Sequence, residues 1–92
     1  MNSILIGYDL KRPGQNYANL ISALKAYGTW WHALDSTWII KTDSSAAQIR
    51  DALLQHIDAN DRLFAADITG QSLAWYGFDQ VASDWIIQQC PV

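Results

Sequence analysis

The chain has 92 residues, half of them hydrophobic and five of them Trp, with nine Asp, no Glu and six Lys plus Arg, for a formal charge of −3. This length makes a single domain over 1–92 with a marginal core, because a chain of this size buries only about 60–65% of the surface its unfolded form exposes. The acidic balance excludes a uniform positive field for non-specific nucleic-acid binding, so a contact with RNA or DNA has to be local or metal-assisted.

The first strand is expected over residues 3–9. Ile4, Ile6 and Tyr8 fall on one face and Leu5, Gly7 and Asp9 on the other, and the apolar middle on both faces places the strand inside a sheet. Lys11-Arg12-Pro13-Gly14 follows as a basic turn. A helix is expected from about Asn16, a suitable N-cap, to Tyr27. Its stripe is Tyr17, Leu20, Ile21, Leu24 and Tyr27, and Gly28 stands where a left-handed residue ends a helix.

Residues 29–34 and 37–42 are aromatic and β-branched and read as a hairpin around Asp35-Ser36, a weaker turn pair than Asn-Gly. Ser45 and Gln48 form a capping-box pattern for a second helix over about Ala46 to Asp58, with Ile49, Leu53 and Ile57 inward and Asn60 as its terminator. Leu63 to Thr69 reads as the fourth strand, closed by Gly70. Ser72 to Tyr76 reads as a short fifth strand, and Phe78, Val81, Trp85 and Ile86 give a third amphipathic stripe before Pro91.

Strand, helix, strand, strand, helix, strand is the split β-α-β order of an α+β, ferredoxin-like domain: an antiparallel sheet with the first and third strands inside and both main helices on one face. The other face is then bare, a place for a partner. Five Trp in so small a chain favour pairing with a second copy. The single cysteine, Cys90, reads as an inert thiol in a C-terminal tail. Without a disulfide framework, the expected setting is the cytoplasm. Met1-Asn2-Ser3 runs straight into the first strand, and no apolar run is long enough for a membrane partner.

The stretches Ile6-Gly7-Tyr8-Asp9-Leu10-Lys11-Arg12-Pro13-Gly14-Gln15, Trp30-Trp31-His32-Ala33-Leu34-Asp35-Ser36-Thr37-Trp38 and Ala82-Ser83-Asp84-Trp85 resemble the SinR-like subgroup of a superfamily. That superfamily also holds the second CRISPR-associated protein family and the VapD-type toxin ribonucleases. The resemblance implies a homodimer built with the C-terminal segment. It also implies an Mg²⁺-dependent endonuclease or ribonuclease chemistry in which Asp9 is the metal ligand, paired with Asp9 of a second copy. The chain departs from the CRISPR-associated family in its acidity and in the basic turn after the strand. A non-catalytic homodimeric interaction or regulatory protein, with a protein partner, is the alternative.

Each candidate residue has a structural alternative. Asp9 is a metal ligand or a cap of the following turn. Lys11 and Arg12 hold phosphate or are simply solvated. Tyr8 stacks on a base or packs in the core with its hydroxyl at the edge. Asp67 assists Asp9 if the register of the fourth strand allows it. Trp30, Trp31, Trp38, Trp75 and Tyr76 suit core and interface packing better than base stacking, because no RNA-binding signature lies on any strand, and Trp75 and Tyr76 are the expected dimer contacts. His32 and His56 have no second ligand at metal spacing.

Overall fold

The structure, a computed structural model, describes residues 1–11 and 17–92. Arg12, the Pro13-Gly14 turn and the expected Asn16 N-cap lie outside the described residues. The elements run β1 (Asn2–Asp9), α1 (Ala18–Lys25), β2 (Trp30–Leu34), β3 (Thr37–Thr42), α2 (Ala46–Leu54), β4 (Arg62–Asp67) and α3 (Gln80–Gln89). The strands form one antiparallel sheet in the order β2-β3-β1-β4. This is the expected ferredoxin-like α+β fold, with β1 and β3 inside.

Strand parity divides the core in two. Ile4, Ile6, Trp38 and Ile40 face α1 and α2 and pack with Leu20, Leu24, Ile49 and Leu53, all essentially inaccessible to water. Fully burying such a side chain contributes about 1.5–3 kcal/mol. Trp31 and Ile39 point the other way and pack with Ile86 and Cys90 of α3. The second face is therefore not bare: α3, from the same chain, covers part of it. Cys90 does not lie in a tail but is buried in that second cluster.

Local chemistry explains most of the boundaries. The Ser45 hydroxyl accepts from the Gln48 amide at 3.1 Å and the Gln48 side chain accepts from the Ser45 amide at 2.8 Å, so the capping box forms. Gly28 has φ of +87°, the left-handed conformation expected after α1, and Gly70, expected to close β4, has φ of +72°.

Other expectations fail for stated reasons. No described non-glycine residue has positive φ. The β2–β3 hairpin does form around Asp35-Ser36 as expected, with Leu34 opposite Thr37, but without the left-handed residues of an Asn-Gly turn, and its register shifts between Trp31 and Leu34. Asn60 likewise ends nothing in the left-handed region; α2 stops at Leu54, capped by Gln55 in right-handed conformation. β4 stops at Asp67 because its carboxylate accepts from the Thr69 amide at 3.0 Å and turns the chain.

Residues 72–76 form no fifth strand. The chain turns at Gly70 and crosses the second face, where Leu73 packs into the α3 cluster and the Trp75 indole donates to Ser83 Oγ at 3.1 Å. Packing against a helix, not ladder pairing, decides the conformation of this segment. None of the described helices is long and apolar enough to cross a membrane.

Candidate functional site

The end of β1 carries most of the candidate residues. Alternation along β1 puts Asp9 on the second face, opposite Arg62 of β4. Asp9 is exposed, and its carboxylate receives the Lys11 ammonium at 2.6 Å. The pair is more than two-fifths exposed on both sides, so its net worth is at most about 1 kcal/mol. Arg12, expected beside them, lies outside the described residues.

The Lys11 amide, in the turn that follows, is not bonded to Asp9 but donates to Asp61 Oδ1 at 2.7 Å. Asp61 Oδ2 accepts the Asp58 amide at 2.8 Å, and both Asp61 oxygens lie 3.1 Å from the Tyr17 hydroxyl. One carboxylate thus joins the exit of β1, the start of α1 and the entry to β4. The sequence reading missed Asp61, because nothing local marks it: two of its donors lie 50 and 44 residues away.

Asp67 is not brought to Asp9. It pairs with Ile4, five residues from the Asp9–Arg62 pair, or roughly 17 Å along the strand at about 3.4 Å per residue. The odd offset also puts it on the opposite face. Its carboxylate is held below the usual value by the Thr69 hydroxyl at 2.5 Å, with the Thr69 amide second. The same hydroxyl accepts the Ser3 amide at 2.8 Å, so Asp67 serves a strand-end turn.

Tyr8 packs against the main core, and its hydroxyl accepts the indole N–H of buried Trp38 at 3.0 Å. Tyr8 is half-buried, packed on the core on one side and lining a shallow pocket with Asp9 and Arg62 on the other. Trp38 is flanked by Trp30, 5.3 Å between ring centroids, and by His32, stacked at 3.9 Å with planes 13° apart. His32 Nε2 lies 3.0 Å from the Asp35 carbonyl oxygen. His56 lines the α1–α2 groove with Tyr27, whose hydroxyl pKa burial pushes up.

The second face keeps an apolar groove of about 360 Å³ between the sheet and residues 73–78. Leu5, Leu34, Trp75 and Tyr76 are among its walls, with Trp31 and Phe78 meeting edge to face at 5.0 Å behind them. Leu34 is 45% exposed and Tyr76 89% exposed, and Phe64, on the same sheet face, is 65% exposed. The expected interface residues Trp75 and Tyr76 therefore stand beside an open apolar surface.

Magnesium prefers six oxygens in near-octahedral geometry. Among the described residues, no group of three His, Cys, Asp or Glu side chains is placed to hold a metal ion. In one chain the described partner of the Asp9 carboxylate is the Lys11 ammonium, a cation where a metal would need further oxygens. No known family model matches the chain, and no curated protein matches it.

Proposed function

We propose that the protein works as a homodimer of the CRISPR-associated and VapD-like kind, with the second sheet face and the Trp75-Tyr76 segment between the copies. The observation that carries this reading is the apolar surface left open on that face, where Leu34 and Tyr76 line one groove and Phe64 stands exposed on the same sheet face. A second copy covers such a surface at no cost in new sequence. Asp9, at the open end of the same face, then approaches its symmetry mate. A nucleic-acid-related role belongs to the proposal: RNA or DNA phosphates would meet Lys11, Arg12 and Arg62 locally, in the cytoplasm.

Light scattering tests the dimer: a molar mass twice that of the chain supports it, and a monomer at high micromolar concentration ends it. Cleavage of RNA and of duplex DNA with Mg²⁺ or Mn²⁺ tests the chemistry. Loss of cleavage in Asp9→Ala supports a nuclease, and equal behaviour of the two proteins removes it.

The second reading is a non-catalytic dimer that docks a protein partner. Two observations favour it: Lys11 already neutralises Asp9, and Asp67 lies on the opposite face. A doubled molar mass with no Asp9-dependent cleavage selects this reading.

A further inference from the structure

Lys11 is held at both ends by carboxylates from different parts of the chain. Its amide donates to Asp61 at 2.7 Å and its ammonium to Asp9 at 2.6 Å. The first bond fixes the backbone, and the second is a consequence of where that backbone stands. Asp61 also binds the Asp58 amide and the Tyr17 hydroxyl, so its own position is set by the two elements flanking the β1 exit.

We infer that Asp61 is the positioning residue of the β1-exit site: it places Lys11 so that the ammonium stays on Asp9. This deepens the reading of Asp9 as the site residue and rests on it only for its functional meaning. The stereochemistry is specific. The two backbone N–H groups address different oxygens of Asp61, Lys11 at Oδ1 and Asp58 at Oδ2. A carboxylate can accept both, whereas an asparagine amide has one acceptor oxygen and would turn an NH₂ donor toward the other N–H. Asp61→Asn therefore satisfies one segment and repels the other, while keeping the shape.

The test is amide and carboxyl NMR on the whole chain, comparing wild type with Asp61→Asn and Asp61→Ala. In Asp61→Ala, the Lys11 amide is expected to move upfield and exchange about tenfold faster or more, as for loss of a hydrogen bond to a charged group, and in Asp61→Asn either the Lys11 or the Asp58 amide is expected to do so. The Asp9 carboxyl carbon is expected to shift toward its position in Lys11→Met, the signature of a lost Lys11 contact. Amides of Ile4 and Ile40 are expected to keep their protection. Unchanged Lys11 and Asp9 signals in Asp61→Ala would overturn the inference. So would acceleration of Ile4 and Ile40 by the same factor, which would make Asp61 a residue of general stability. Nuclease activity is not a readout here, so its absence would leave this result standing.

Discussion

The ammonium of Lys41 lies 2.6 Å from the carbonyl oxygen of Gln89. It also donates to the Ser3 hydroxyl at 2.8 Å, so one side chain ties β3 and β1 to the last turn of α3. A cation suits the carbonyl-rich end of a helix. At the other end of α3, the Trp31 indole donates to the Ala82 carbonyl at 3.1 Å. Lys41→Met keeps the apolar stem and removes the donor. The expected result is a loss of about 1–2 kcal/mol, with hydrogen exchange faster in residues 80–90 than in β1.

Tyr8→Phe leaves the indole N–H of Trp38 without its acceptor. Trp38 is fully buried, so that donor cannot turn to water. The expected cost is about 1–3 kcal/mol in urea unfolding. A variant as stable as wild type would mean that water replaces the phenol.

Asp67 makes an acid-side contribution whose sign is fixed by its lowered pKa. A carboxyl held below its ordinary value of 3.8 by Thr69 adds stability above that value. The contribution is lost as pH falls through the folded-state pKa. Thr69→Val should raise the Asp67 pKa, read by carboxyl-carbon titration. The stability difference between wild type and variant that comes from this group should shrink as pH drops below 3.8. An unmoved Asp67 titration would show that the Thr69 hydroxyl is not the cause.

Ser45→Ala removes the side chain that accepts the Gln48 amide and opens the capping box. About 1 kcal/mol of stability should go with it, measured by thermal or urea unfolding. Because α2 packs Ile49 and Leu53 into the main core, the whole transition should shift, not a local one.

Gly28→Ala puts a β-carbon at φ +87°. No neighbouring atom lies within 4 Å of that carbon, so the penalty is conformational and not a clash. Roughly 1 kcal/mol is expected, and no change on binding or assembly.

Features written in neighbouring residues were legible. The Ser45–Gln48 box, the Gly28 terminator and the Leu20–Leu24 and Ile49–Leu53 stripes each depend on residues three or four apart, and each formed. The order of strands and helices, and β1 and β3 inside the sheet, followed from those stretches. The fifth strand failed because the alternation of Leu73 and Trp75 suits packing against α3 as well as pairing in a ladder. Of the candidate site, Asp9 and Lys11 were legible as neighbours in the chain. Asp61 was not, since its described partners Lys11, Tyr17 and Asp58 come from different segments.

Periodicity, capping residues and glycine positions determined by themselves which stretches become strands and helices, because those preferences act over one turn or one pleat. Only the tertiary structure decided three things: that α3 lies on the second face, that Asp67 is turned away from Asp9, and that Asp61 instead of Asp9 holds the Lys11 amide. The reason is register. A strand's side chains alternate with a period of two, so a shift of one residue in the β1–β4 pairing would exchange every face of β4, and that pairing is set where the apolar faces of two strands far apart in the chain meet.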